Sequence, residues 1–167
     1  MRLDVKIGTA TTEYPELTAR AVIHMLEGVV LFNRAAIRSG ELGSLYQSGA
    51  RYQDEPPDYE SLVDGVTAQR AGVGDCAHLA AWRVAELQEQ GEDARLTIEW
   101  SDSIRDPSLR LYHVQVRRGD GSIEDPSAIL GMGRVDPTYR QSGALEDKLV
   151  QAFSGLVIGC DCERDFG

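Results

Sequence analysis

The chain has 167 residues, 42% hydrophobic and 26% charged, the make-up of an ordinary soluble single domain with room for a real core. Lys and Arg number 17 against 27 Asp and Glu, and the resulting net charge of −10 argues against a nucleic-acid partner, which needs a basic face. No apolar run reaches membrane-span length, the start lacks a signal-peptide apolar stretch, and three cysteines do not make a disulfide framework, so synthesis in a cytosol is expected.

Leu3, Val5 and Ile7 alternate with Arg2, Asp4 and Lys6, which predicts a first strand ending at Gly8. Thr9 to Thr12 reads as a turn, and Pro15 suits the first turn of a helix running to about Ser39, stopped by Gly40. Leu17, Ala21, Met25, Val29, Phe32 and Ala36 mark its predicted buried stripe, with His24 expected as a partly buried structural histidine. Residues 40–74 are loop-rich, with one short helix expected near Tyr59 to Val63. Tyr46, Tyr52 and Tyr59 are concentrated there. Anchoring the loop to the core is the simpler role for them, and walling a cleft is the functional one.

The stretch from Gly72 to Gln90 predicts the central helix. Asp75 is a natural N-cap, Gly91 a natural C-cap, and Cys76, Leu79, Ala80, Val84 and Leu87 recur at helical spacing. Ala77, Ala80, Ala81 and Ala85 thin one wall for close packing against a sheet. Cys76 then lies in the first turn, where unpaired N–H groups and the helix dipole favour a thiolate. A cysteine on an apolar stripe is most often only a small core residue. What points further lies downstream.

Residues 94–100 alternate cleanly as a strand, 101–108 form a polar excursion, and 110–117 read as a second strand. Gly119-Asp120-Gly121 turns the chain into a third, 122–125, ended by Pro126. Residues 130–137 read as loop, 144–153 as a last helix, 156–158 as a short strand, and 160–167 as a tail. A first helix, then a central helix feeding an antiparallel meander, gives the α+β class.

A thiolate mechanism needs a base beside the sulfur and a group to orient that base. His78 lies two residues past Cys76, about 200° around the helix, and points away. His113, inside the strand LRLYHVQV, is the better base, and Asp125 the natural orienter. An odd loop centred on Gly119 would pair 113 directly with 125 and place both side chains on one face, about 5 Å apart at Cβ. A two-residue loop would shift the pairing by one and undo this.

GDCAHLAAWRVAEL, the strand YHVQV and then GSIEDPS resemble the transglutaminase-like branch of the papain-like cysteine enzymes, over roughly residues 45–130. LYQSGARYQDEPPDYE and EDPSAILGM are similar to the flanks of small members encoded among phage and prophage structural genes. The resemblance implies one transglutaminase-like domain over 1–167. Its catalytic-type core spans about 45–130, with an N-terminal strand and helix at 1–40 and a C-terminal extension at 131–167. It maps the triad onto Cys76, His113 and Asp125; no motif assigns the oxyanion donor, for which the Cys76 N–H and, seven residues upstream, Gln69 are the candidates, and no metal or cofactor is expected. Where many relatives carry acidic or acidic-polar residues after the cysteine, this chain has Ala77-His78.

Arg118-Gly119-Asp120 reads as turn chemistry rather than an adhesion signal. Cys160-Asp161-Cys162 lacks a second ligand pair for a metal. The expected function is a virion-associated protein whose site cleaves or transfers acyl groups of amide bonds; the alternative is a structural virion component, a head–tail connector or tail protein, using the fold as scaffold. Expected partners are other virion or particle subunits and a peptide or cell-wall substrate. The expected location is the host cytoplasm at synthesis, then the particle.

Overall fold

A computed structural model describes residues 2–5, 14–54, 60–102, 110–132 and 140–141. In chain order the elements are β1 (Arg2–Val5), α1 (Pro15–Ser39), a 3-10 turn (Leu45–Gln47), β2 (Arg51–Tyr52), β3 (Glu60–Val63), α2 (Gly65–Ala71) and β4 (Val73–Gly74). Then follow α3 (Cys76–Glu89), β5 (Ala94–Asp102), β6 (Arg110–Arg118), β7 (Ile123–Glu124), α4 (Pro126–Ile129) and β8 (Arg140–Gln141). This is the expected α+β class.

The bounds of α1 follow its punctuation. Pro15 opens it, and Gly40, at φ +78°, closes it by donating its N–H to the carbonyls of Ala36 and Ile37. Its buried face matches the predicted one only in part, at Val29 and, partly buried, Met25 and Ala36. Thr18, Ala19, Val22, Ile23, Leu26, Val29, Val30 and Asn33 are buried, whereas Leu17 is 64% and Phe32 55% exposed. Two apolar stripes overlap in this sequence, and periodicity alone does not choose between them. The β-branched one won, packing against the alanines of α3. His24 turns outward with the losing stripe. It is exposed and pairs with Glu27 at 3.0 Å, rather than being partly buried.

The helix expected near 59–63 is instead strand β3, antiparallel to β1, and Tyr59 lies outside the described residues. A partner almost sixty residues away decides this, which local propensity cannot register. The helix comes later, as α2. Asp64 caps it by accepting the Thr67 N–H at 2.8 Å. Gly65 permits the close approach of α2 to α1: its N–H donates to Asn33 Oδ1 at 2.6 Å, and a Cβ there would lie 2.6 Å from the Leu42 side chain.

Helix α3 is capped as expected, by Asp75 at the start and by Gly91 in the left-handed region (φ +83°) after Gln90. It is buried on two sides rather than along one stripe. Ala77, Ala80, Ala81, Val84 and Ala85 meet α1, β5 and β6 in one hydrophobic cluster. Leu79 and Trp82 meet Leu42, Leu45, Ala50 and Ala68 in a second. The sheet runs β7-β6-β5-β8, with β5 and β6 antiparallel (Ile98 opposite Val114). Strand β8 on β5 was not anticipated. The expectations at 6–12, 103–108, 133–137 and 144–167 lie outside the described residues. No described helix is long and apolar enough to cross a membrane.

Candidate active site

The turn between β6 and β7 is a three-residue loop, Gly119 to Gly121. Gly121 N–H donates to Arg118 O at 2.9 Å, and Gly121 takes the φ of +85° that such loops need in their last position. Val116 pairs with Glu124, so the turn is centred on Asp120 rather than Gly119. Continued by one residue, this register sets Asp125 opposite Gln115 and not opposite His113. The correction is a shift of two, which keeps the side chain on the same face. His113 therefore reaches Asp125 diagonally, Nε2 to Oδ2 at 2.9 Å.

Asp125 ends the hairpin and begins α4. Its Oδ1 accepts the Ala128 N–H at 3.1 Å as an N-cap, and Pro126 occupies the first helical position. Burial pushes the carboxyl up, but His113, the Ala128 N–H and Gln115 together hold it below its ordinary range. Next to it, Glu124 is clamped by Arg83 (2.5 Å), Tyr46 (2.6 Å) and Arg118 (2.6 Å). This clamp fixes the short strand that carries the aspartate.

Because the folded value for Asp125 lies below the unfolded one, its contribution is present above about pH 4 and is lost as pH falls through the folded value. Asp125→Asn should then cost about 1.5–3 kcal/mol at neutral pH, the range of a hydrogen bond to a charged group, and flatten the acid limb. Urea unfolding between pH 2 and 7 checks this, and an acid limb as steep as that of wild type would count against it.

Cys76 is the first residue of α3, half-buried at the edge of the first cluster. Its surroundings are tied to those of Asp125 through the backbone. At the end of α4, Leu130 O accepts the Tyr52 N–H at 3.0 Å. Tyr52 in turn pairs in parallel with Gly74, two residues before Cys76, and Gln53 N–H donates to Gly74 O. Helix α3 itself packs on β6 and α4. The bonded His113–Asp125 pair and the cysteine thus belong to one connected group of elements.

His78 is buried and structural, as expected from its direction. Nδ1 lies 3.3 Å from the Asp75 N and 3.1 Å from its Oδ1, and Nε2 bonds to Ser61 O. It completes a capping box on α3 and fastens the start of that helix to β3. Burial pushes the Asp75 carboxyl upward against the pull of His78.

Tyr46 and Tyr52 do anchor the 42–54 segment, both packing on the second cluster. Tyr52 does more than that. Burial and the hydrogen bond of its hydroxyl to Asp54 raise its pKa, and its strand pairs with Gly74, two residues before Cys76. Asp54 went unnoticed in the sequence because only the non-local β2–β4 pairing brings it here. Gln69 lies on α2 and accepts the Gly43 N–H at Oε1 (3.0 Å), so a donating role would fall to Nε2. Among the described residues, no three His, Cys, Asp or Glu side chains are grouped as metal ligands would be.

No protein family, characterised protein or solved structure matches this chain. Its chemistry is therefore argued from the site.

Proposed function

We propose that this protein carries a transglutaminase-like acyl-transfer site, with Cys76 as nucleophile, His113 as base and Asp125 as its orienter. The observation that carries the reading is the 2.9 Å bond from His113 Nε2 to Asp125 Oδ2, on the strand against which the Cys76 helix packs. With Nε2 committed to the carboxylate, Nδ1 is the nitrogen that exchanges a proton with the thiol. Sγ gives its proton to Nδ1 and attacks the carbonyl carbon of an amide. The C–N bond then breaks, the leaving amine takes the proton from His113, and a thioester remains on Cys76. Water, or a second amine, attacks the thioester, and the thiol is reprotonated. The Cys76 N–H at the start of α3 supports the developing oxyanion, with Gln69 Nε2 as the second donor.

The setting is a phage or phage-like particle, reached after synthesis in the host cytoplasm, with other particle subunits as partners and a peptide or cell-wall amide as substrate. This rests on the resemblance of the sequence flanks. The second reading, a structural particle component, is favoured by α1, whose Leu17, Leu31 and Phe32 stand exposed, with Tyr14 just before it.

An activated ester such as p-nitrophenyl acetate tests the chemistry. Intact mass should show an acetyl group on Cys76 that forms and then decays. No adduct in wild type, or one formed equally fast in His113→Ala, would leave the scaffold reading in possession.

A further inference from the structure

Gln115 lies on β6 two residues beyond His113, on the same side of the strand, and is only 8% exposed. Its Nε2 reaches Asp125 Oδ2 at 3.4 Å, the same oxygen that binds His113, while its own Oε1 has no hydrogen-bond partner among the described residues. A buried amide oxygen left unpaired costs stability, and a methionine of similar shape would avoid that cost. A side chain kept at such a cost beside a catalytic-type carboxylate points to what its donor end does. Asp125 has three donors: Ala128 N–H on Oδ1, and His113 and Gln115 on Oδ2. The first fixes one oxygen to α4. The third limits rotation of the other, so that Oδ2 stays in line with His113 Nε2.

We propose that Gln115 is a positioning residue that holds Asp125, and through it the His113 ring and tautomer. The proposal rests on the reading of His113 as the base of Cys76. Reversing the amide would aim Oε1 at the carboxylate, so the donor orientation is the stable one.

The test compares wild type, Gln115→Met, Gln115→Leu and His113→Ala. Each is scored for the rate of Cys76 alkylation by iodoacetamide at pH 7, for thermal midpoint, and for the His113 nitrogen signals in a long-range proton–nitrogen spectrum. The apolar variants should keep or raise the midpoint. They should slow alkylation about tenfold, within the 100-fold that an ångström of misplacement can cost, and should move the ring nitrogen signals away from their wild-type positions. A merely structural role would lower the midpoint and leave the tautomer alone.

If His113→Ala slows alkylation while both apolar variants match wild type in rate and ring signals, Gln115 is not a positioning residue and the base reading stands. If His113→Ala itself changes nothing, both ideas fall. Should neither apolar variant fold, the wild-type carboxamide protons of Gln115 decide. They should shift in step with the His113 ring as pH is varied, and indifference to that titration overturns the proposal.

Discussion

His113→Ala is expected to slow alkylation of Cys76 by iodoacetamide at pH 7 roughly thirtyfold, while His78→Ala leaves the rate within about twofold. The first figure compares a sulfur held fully as thiolate with the roughly 3% thiolate of an ordinary cysteine of pKa near 8.5. His113 is 3% exposed and bonded to Asp125, so its loss removes the proton acceptor and leaves the orienting carboxylate with nothing to orient. His78 is as deeply buried but spends both ring nitrogens on the α3 cap and on Ser61 O. Its loss should appear instead as about 2–4 kcal/mol of stability, from a broken cap and a buried carbonyl left without its donor. Rates measured on the folded fraction of each variant separate the two effects. Equal rates in wild type and His113→Ala would remove the paired-base idea.

Trp82→Ala should be the most damaging single truncation in the described core, costing about 3–5 kcal/mol out of the ~5–15 kcal/mol typical of a domain. Trp82 is fully buried at the centre of the second cluster, and its Nε1–H donates to Gly43 O at 3.0 Å. Its removal opens a cavity under the segment that carries Leu42, Leu45 and Tyr52. Trp82→Phe fills most of that space but abandons the Gly43 carbonyl, for about 1–2 kcal/mol. Denaturant unfolding orders the three proteins. A Trp82→Ala change below about 1 kcal/mol would mean that the second cluster does not support the fold as described.

What could be read in advance was local. Pro15 and Gly40 bound α1, Asp75 and Gly91 bound α3, and glycines flanking Asp120 turn the hairpin, because each acts through its own backbone or that of a near neighbour. The His113–Asp125 pair was legible for the same reason: it needed only the parity of one short loop. The orientation of α1, the identity of β3 and the place of Tyr52 were not legible. The first depends on which apolar stripe the alanines of α3 accept, the second on β1, and the third on a two-residue parallel pairing across twenty-two positions of chain. Even the hairpin was misplaced by one residue at its centre, since glycine on either side of Asp120 suits either register.

Helix α3 is shared by both hydrophobic clusters, whereas β7 is two residues long and α4 a single turn. Opening of the molecule is therefore unevenly distributed. Amide protons in the body of α3 can exchange with solvent only when both clusters give way, that is, near global unfolding, while those around Asp125 need only a short ladder and one turn to part. The nucleophile would then stand on the slowest-breathing element of the described fold and its base on the long β6, with the orienting carboxylate on one of the quickest. Any gating of this site falls to the aspartate and the short elements that hold it.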